Sequence, residues 1–442
     1  MSQCGYGMMN CIWKEDGNER VKADRLATQI AAYLRQGECT EQKLGVELEH
    51  FLVRADDLTS VPYRDGVEDF LSALIPHGWT PVIQDQQLMG LTGELGEITL
   101  EPGGQIEISL YPCSCVKALD GEYRSFLGQA TPILRERGWA LCCTGYRPAD
   151  GIDSIPLLPK ERYRMMYRYF GEHGGPYAHH MMKGTAAEQI SVDYYDEADF
   201  VRKMRSAHFL TPFIAAAFDN VAVFEGGPPP HTAMRSAVWR GCDWDRSGIP
   251  WEFFEPDFGY EAYGRILLAR PLILRDRHGV ITYTDCRIGA DVYREGMDES
   301  DVRHLLSMFF FDARAKQYIE LRAGDMLPPD MAFGYAALVK GLLYHPDNLS
   351  MLGEMAEHLD REAHRRLLRD VQQAGTGALW QGRPVRKWMA DWAARAIKGL
   401  EPEEREYIER LLPDLEAGRT PAMRTLEHMD EGSQAFSWCL IR

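Results

Sequence analysis

The chain has 442 residues, 45% hydrophobic and 26% charged, enough for one large domain or two to three small ones of ordinary globular composition. Its formal net charge of −17 speaks against a nucleic-acid or anionic-membrane partner, which needs a basic surface, although a few local arginines suffice for a nucleotide. No run of about 18 apolar residues occurs, so no membrane span is expected.

Residues 1–20 read as a flexible tail. They lack a basic start followed by an apolar stretch and a cleavage site, so the protein is expected to be cytoplasmic. Its ten cysteines are then expected to be mostly reduced thiols, and neither Cys113/Cys115 nor Cys142/Cys143 has zinc-ligand spacing. Val21, Leu26, Ile30, Tyr33 and Leu34 lie on one face of a helix over residues 21–34. Residues 45–53 alternate as a strand. Val67, Phe70, Leu71 and Leu74 mark a helix that stops near Pro76 and Gly78. Residues 96–110 form strand, bend, strand, with the bend at Pro102-Gly103-Gly104, where two glycines allow the backbone close to a ligand. A helix is expected over 122–137 with a kink at Pro132, then strands over 139–146 and 189–194, then a long helix over 197–218. Residues 226–248 are a long loop rich in Gly, Pro and charge, a length usually functional or disordered. Residues 302–311 are helix-like, 317–322 a strand, and from 351 onward the apolar spacing is helical. The fold class is α+β, in one unit: residues 21–350 as the body and 351–442 as a helical region packed on it.

Three strings place charged side chains an even number of residues apart, and on a strand such residues share a face. Glu47 and Glu49 form the first pair; Glu101, Gln105 and Glu107 flank the Gly-rich bend; Glu320 and Arg322 form the third. Carboxylates crowded in an interior repel and resist ionisation. A hard cation such as Mg²⁺ resolves the repulsion and brings substrate phosphates with it. The plainer alternative is solvated glutamates on half-exposed strands. Arg235, Arg240 and Arg246 in the long loop suit bidentate capture of carboxylate or phosphate, or are solvated loop charges. His173, His179, His180 and His231 have no metal-ligand spacing. No GxxxxGK[ST] string occurs, so no P-loop holds a nucleotide.

These residues resemble glutamate–cysteine ligases of the plant and proteobacterial type. The resemblance is carried by Gly45-Val46-Glu47-x-Glu49 and Leu100-Glu101-Pro102-Gly103-Gly104-Gln105-Ile106-Glu107. Further blocks follow in order: Pro159-Lys160-x-Arg162-Tyr163, Met181-Met182-x-x-Thr185-x-x-x-Gln189, Met234-Arg235-Ser236-x-x-Trp239, Asp243-x-Asp245-Arg246-x-Gly248 and Tyr318-Ile319-Glu320-x-Arg322. It spans about residues 40 to 345.

The resemblance implies a glutamine-synthetase-like catalytic fold, a curved antiparallel sheet opening as a funnel with helices outside. It implies ATP- and Mg²⁺-dependent joining of the glutamate γ-carboxylate to the cysteine amine through γ-glutamyl phosphate, the first step of glutathione-type thiol biosynthesis. Expected partners are small-molecule substrates (glutamate, and cysteine or another amine), with a monomer or homodimer as the working unit. By position, Glu47, Glu49, Glu101, Glu107 and Glu320 match metal-binding carboxylates. Arg322 matches a residue touching ATP phosphates, with Gln105 also expected at the nucleotide. Arg322 and Arg235 are the expected catalytic pair, and Gln189, Arg235, Trp239, Arg162 and Tyr163 are expected at the substrates. Three positions depart: Gly184 where the family has arginine, Glu188 where it has an apolar residue, and Ser191 where it has asparagine. An added buried anion or lost cation in a substrate pocket costs roughly 3–5 kcal/mol if unmatched, which would favour another acid or amine substrate. A relative that binds ligand without turnover is a third reading, opposed by the intact carboxylates and Arg322.

Overall fold

The structure is a computed structural model describing residues 17–442, with side chains from residue 22 onward. Of the expected tail, residues 1–16 lie outside the described residues, and 17–20 form the first turn of helix α1 (Gly17–Arg35).

Ten strands make one antiparallel sheet. In chain order they are β1 (Leu44–Arg54), β2 (Thr80–Gln84), β3 (Gln87–Gly93), β4 (Gly96–Leu100), β5 (Ile106–Leu110), β6 (Trp139–Cys142), β7 (Ala187–Val192), β8 (Ala313–Ala315), β9 (Ile319–Asp325) and β10 (Leu440–Ile441). The spatial order is β8-β9-β7-β1-β5-β4-β3-β2. The eleven residues of β1 serve two neighbourhoods: its first half lies between β5 and β7, and its second half pairs with β6, which also takes β10 from the C-terminus.

Strand parity divides this sheet into two faces. Val46, Leu48, Ile106, Ile108 and Ile190 share the back face and are buried. Two helices, α2 (Val116–Arg137) and α3 (Pro329–Leu343), pack against this face. Each large aliphatic side chain removed from water there contributes roughly 1.5–3 kcal/mol, so a one-residue slip of β1 would expose the set and is strongly disfavoured. The same constraint holds Glu47 and Glu49 on the front face.

Most expected elements are present with shifted ends. The helix expected from 122 starts at Val116, because the Val116 amide at its open N-terminus donates to Glu404 at 2.7 Å, a capping group distant in sequence. The β2–β3 hairpin was not expected. It turns through Asp85 and Gln86, both at positive φ, and β2 is a largely exposed edge strand that shows no apolar alternation. The long loop holds a short helix, Met234–Arg240, entered through Ala233 at φ 50°. Two further helices, Glu161–His173 and Ala178–Gly184, were also missed. The C-terminal helices pack on Glu197–Ala217 and on α3, and the last strand returns to the main sheet.

Candidate active site

The register gathers the charged strings onto the front face. Glu49 stands directly opposite Glu107 on β5, and Glu47 opposite Gln189 on β7. On the far side of β7, Glu320 stands opposite Ser191, with Arg322 two residues along β9. Thr99 of β4 faces Glu107 from the other flank and donates to its Oε1 at 2.9 Å. Glu101 sits just past β4, where the bend begins. Residues from five neighbouring strands therefore line one polar surface.

Hydrogen bonds tie this surface together. Gln189 Nε2 donates to Glu49 Oε1 at 2.8 Å, and its Oε1 accepts from Arg322. The Ala187 amide donates to Glu49 Oε2 at 2.7 Å. Burial, then the charges of Glu320 and Glu107, push Glu47 up to about 8. Burial, then Glu101, pushes Glu107 up to about 7. Glu49 is raised well above the usual carboxylate range by burial, then by Glu107 and Glu101. Glu101 is also raised, by burial, against the pull of Lys160 and Arg322. These four carboxyls are short of positive charge.

Glu320 is the opposite case. It is fully buried, with Arg314 bidentate on it at 2.8 and 3.0 Å, Lys316 at 2.8 Å and Arg322 at 2.8 Å. These three cations hold its carboxyl well below the usual range against the opposing effect of burial. Both oxygens accept from cations, so Glu320 anchors Arg322 together with Arg314 and Lys316, two residues outside the expected site set. Arg314 and Lys316 had a signal, an alternating Ala313-Arg314-Ala315-Lys316 one hairpin away from Glu320.

The remaining positions divide. Arg235 Nη1 donates to the Arg322 carbonyl at 3.0 Å, and the Arg322 guanidinium lies over the Trp239 ring at 5.3 Å, so these three form one cationic wall. Tyr163 donates from its hydroxyl to the Leu100 carbonyl at 2.9 Å, and Lys160 Nζ donates to the same oxygen at 3.1 Å, which sets both beside the Glu101 bend. Lys160, part of the Pro159–Tyr163 block, thereby joins the site, a residue outside the expected set. Arg162 turns toward Ser307, donating to its Oγ at 3.2 Å, while its charge is still felt at Glu101.

Gln105 is corrected. Its Oε1 accepts from the Gly103 amide at 2.9 Å and its Nε2 donates to the Thr185 carbonyl at 2.9 Å, so the buried amide closes the bend and offers nothing to a nucleotide. The close approach at Gly103 is likewise to protein: a Cβ there would stand 2.7 Å from the Lys183 carbonyl oxygen.

The three departures prove unlike one another. Glu188 pairs with Leu48 and is completely buried on the back face, so it adds no charge to the front. A Cβ on Gly184 would meet the Tyr146 ring at 2.4 Å, and Tyr146 donates its hydroxyl to Glu225. Only Ser191 lies on the front face, opposite Gly45 and Glu320.

The chemistry of Glu47, Glu49, Glu101 and Glu107 fits a hard divalent cation: carboxylate oxygens, partly buried, mutually repelling, and without an ion pair among the described residues. They line one surface without forming a closed cage. Among the described residues no three His, Cys, Asp or Glu side chains are drawn tightly enough together to hold one ion.

The chain matches the model of glutamate–cysteine ligase family 2 over residues 43–437. It is 28% identical over 412 residues to chloroplastic glutamate–cysteine ligase B of Oryza sativa subsp. japonica, covering 90% of this chain and 82% of that one. It is 28% identical over 417 residues to the chloroplastic glutamate–cysteine ligase of Arabidopsis thaliana, covering 90% and 78%. In fold it is similar to the crystal structure of the Francisella tularensis glutamate–cysteine ligase in complex with AMP, with a TM-score of 0.56 and 10% identity over 91% of this chain and 87% of that one. The plant relatives are chloroplastic proteins, which overturns the expectation of a cytoplasmic one. That expectation rests on residues 1–20, most of which lie outside the described residues. No helix among the described residues is long and apolar enough to cross a membrane.

Proposed function

The chain belongs to glutamate–cysteine ligase family 2, and we propose that it joins the γ-carboxylate of glutamate to the amine of cysteine, using ATP and Mg²⁺. The reading is carried by one observation: the register of β5, β1, β7 and β9 sets Glu107, Glu49, Glu47, Gln189 and Arg322 side by side on a single sheet face.

A carboxylate is a poor acyl donor until it is activated. The γ-carboxylate oxygen attacks the γ-phosphorus of ATP, ADP departs, and γ-glutamyl phosphate forms. The cysteine amine then attacks the acyl carbon, loses a proton, and phosphate leaves. Glu47, Glu49, Glu101 and Glu107 would hold Mg²⁺, which when bound neutralises the triphosphate and the transferred phosphoryl group. Arg322, held in place by Glu320 and Gln189, presents its guanidinium to phosphate oxygens. Arg235 and Trp239 form the wall that grips glutamate. Lys160, Arg162 and Tyr163 border the Glu101 bend from the other side. Fixing three reactants on one rigid sheet face supplies acceleration by orientation alone.

Another acceptor amine is the alternative. One of the departures that favour it is removed from the front face, since Glu188 lies behind the sheet, and at Gly184 Tyr146 fills the space a side chain would take. Incubation with ATP, Mg²⁺ and glutamate, with cysteine and a panel of other amines, tests both. We expect ADP release coupled to γ-glutamylcysteine by mass spectrometry. A strong preference for a different amine replaces the acceptor, and absence of ADP with every pair removes the ligase reading.

A further inference from the structure

Against the cationic wall lies a small cavity of about 10 Å³, room for one water. Arg235, Trp239, Asp312, Thr211, Ser236 and Phe310 are among its lining residues. Three of these carry a buried polar atom with no hydrogen-bond partner: Arg235 Nε, Trp239 Nε1 and Asp312 Oδ2. Arg235 is 2% exposed. Two are donors and one is an acceptor. A single water has the complementary groups for all three, two lone pairs for the N–H groups and a proton for the carboxylate. A buried polar atom left unmatched is costly, so three around one cavity call for a common partner.

The backbone places Asp312 for this. Its carbonyl accepts from the Arg322 amide at 2.9 Å, and its own amide donates to the Gly248 carbonyl at 3.0 Å. It is thereby fixed to the strand that carries Arg322 and to the loop that follows Trp239. Burial raises its carboxyl above the usual range, against the pull of Arg240, Arg235 and Arg322.

We propose that Asp312 is a positioning residue of the ligase, holding the Trp239 indole and the Arg235 guanidinium through one buried water so that both present a fixed face to the amino-acid substrate. This rests on the reading in which Arg235 and Trp239 grip glutamate.

Two measurements test it. The first is a high-resolution crystal structure of the full chain, which does not depend on turnover. Ordered water within hydrogen-bond distance of Asp312 Oδ2 and of both Trp239 Nε1 and Arg235 Nε is expected; a dry cavity, or a water that ignores Asp312, overturns the proposal. The second is steady-state kinetics of Asp312→Ala and Asp312→Asn with thermal melting alongside. Asp312→Ala is expected to raise the glutamate KM about tenfold, leave kcat and the ATP KM within about threefold, and be largely rescued in Asp312→Asn, whose Oδ1 accepts the same hydrogen bond. A glutamate KM within about twofold of wild type, or equal loss in both variants, overturns it. If wild type releases no ADP, the ligase reading fails, and the crystallographic result alone decides whether Asp312 holds the water.

Discussion

Gln189 donates from Nε2 to Glu49 Oε1 at 2.8 Å while its Oε1 accepts from Arg322. One amide thus joins the carboxylate side of the front face to its cationic side. Its orientation is decided by its neighbours, since only the nitrogen can face a carboxylate and only the oxygen a guanidinium.

Gln189→Glu puts a third anion beside Glu49 and Glu107 while it strengthens the hold on Arg322. We expect kcat/KM to fall by about 10²-fold or more, with the magnesium requirement shifted, whereas Gln189→Ala should lose less. ADP release as a function of Mg²⁺ concentration checks both. Equal losses in the two variants would mean that the amide is only packing.

Glu320 gives a prediction about stability. Removing its charge while Arg314, Lys316 and Arg322 remain leaves buried cations unmatched, so Glu320→Gln should destabilise the fold by about 3–5 kcal/mol even in metal-free buffer. A thermal melt in EDTA reads this directly. An unchanged melting temperature would favour a metal-binding role for Glu320 over an anchoring one.

Glu47, Glu49, Glu101 and Glu107 predict the reverse. Their repulsion is a cost in the metal-free protein, so Glu107→Gln should melt at a higher temperature than wild type without metal and lose activity with it. Adding Mg²⁺ with ATP should raise the wild-type melting temperature by mass action and leave Glu107→Gln nearly unmoved. Isothermal titration beside the melts checks the pair.

Glu188 is buried behind the sheet with neither oxygen hydrogen-bonded, beside the equally unpartnered Tyr335 hydroxyl. Burial raises its folded pKa well above the usual 4.5. The folded state therefore keeps a proton that the unfolded state releases. Its contribution to stability is fully present below pH 4.5 and is lost as pH rises through the folded pKa. Glu188→Leu should stabilise the protein by about 1–3 kcal/mol near neutral pH and flatten the alkaline decline in melting temperature. A variant that melts below wild type at every pH would point to an unseen partner for this carboxyl.

Much of the site was legible because strand parity is a local property. Alternation puts Glu47 with Glu49 and Glu320 with Arg322 whatever the rest of the chain does, and the glutamate–cysteine ligase motifs supplied their expected roles. Gln105 misled because its parity matches Glu101 and Glu107, yet the bend between them breaks the strand and turns the amide back onto Gly103 and Thr185. Glu188 misled for a related reason: one residue from Gln189, it faces the other side of the sheet. The β2–β3 hairpin left little trace because an exposed edge strand needs no apolar alternation.

The sequence by itself determined which side chains share a strand face, where helices bury a stripe, and the ligase family to which the chain belongs. Only the tertiary structure decided which strands are neighbours, and with that the partners of every charge. A carboxylate's chemistry depends on the cations within a few ångströms, and these come from strands far apart in the chain. Glu320 and Glu47 look alike as letters; three cations hold the first ionised, while burial and two nearby carboxylates, Glu320 and Glu107, push the second toward its neutral form.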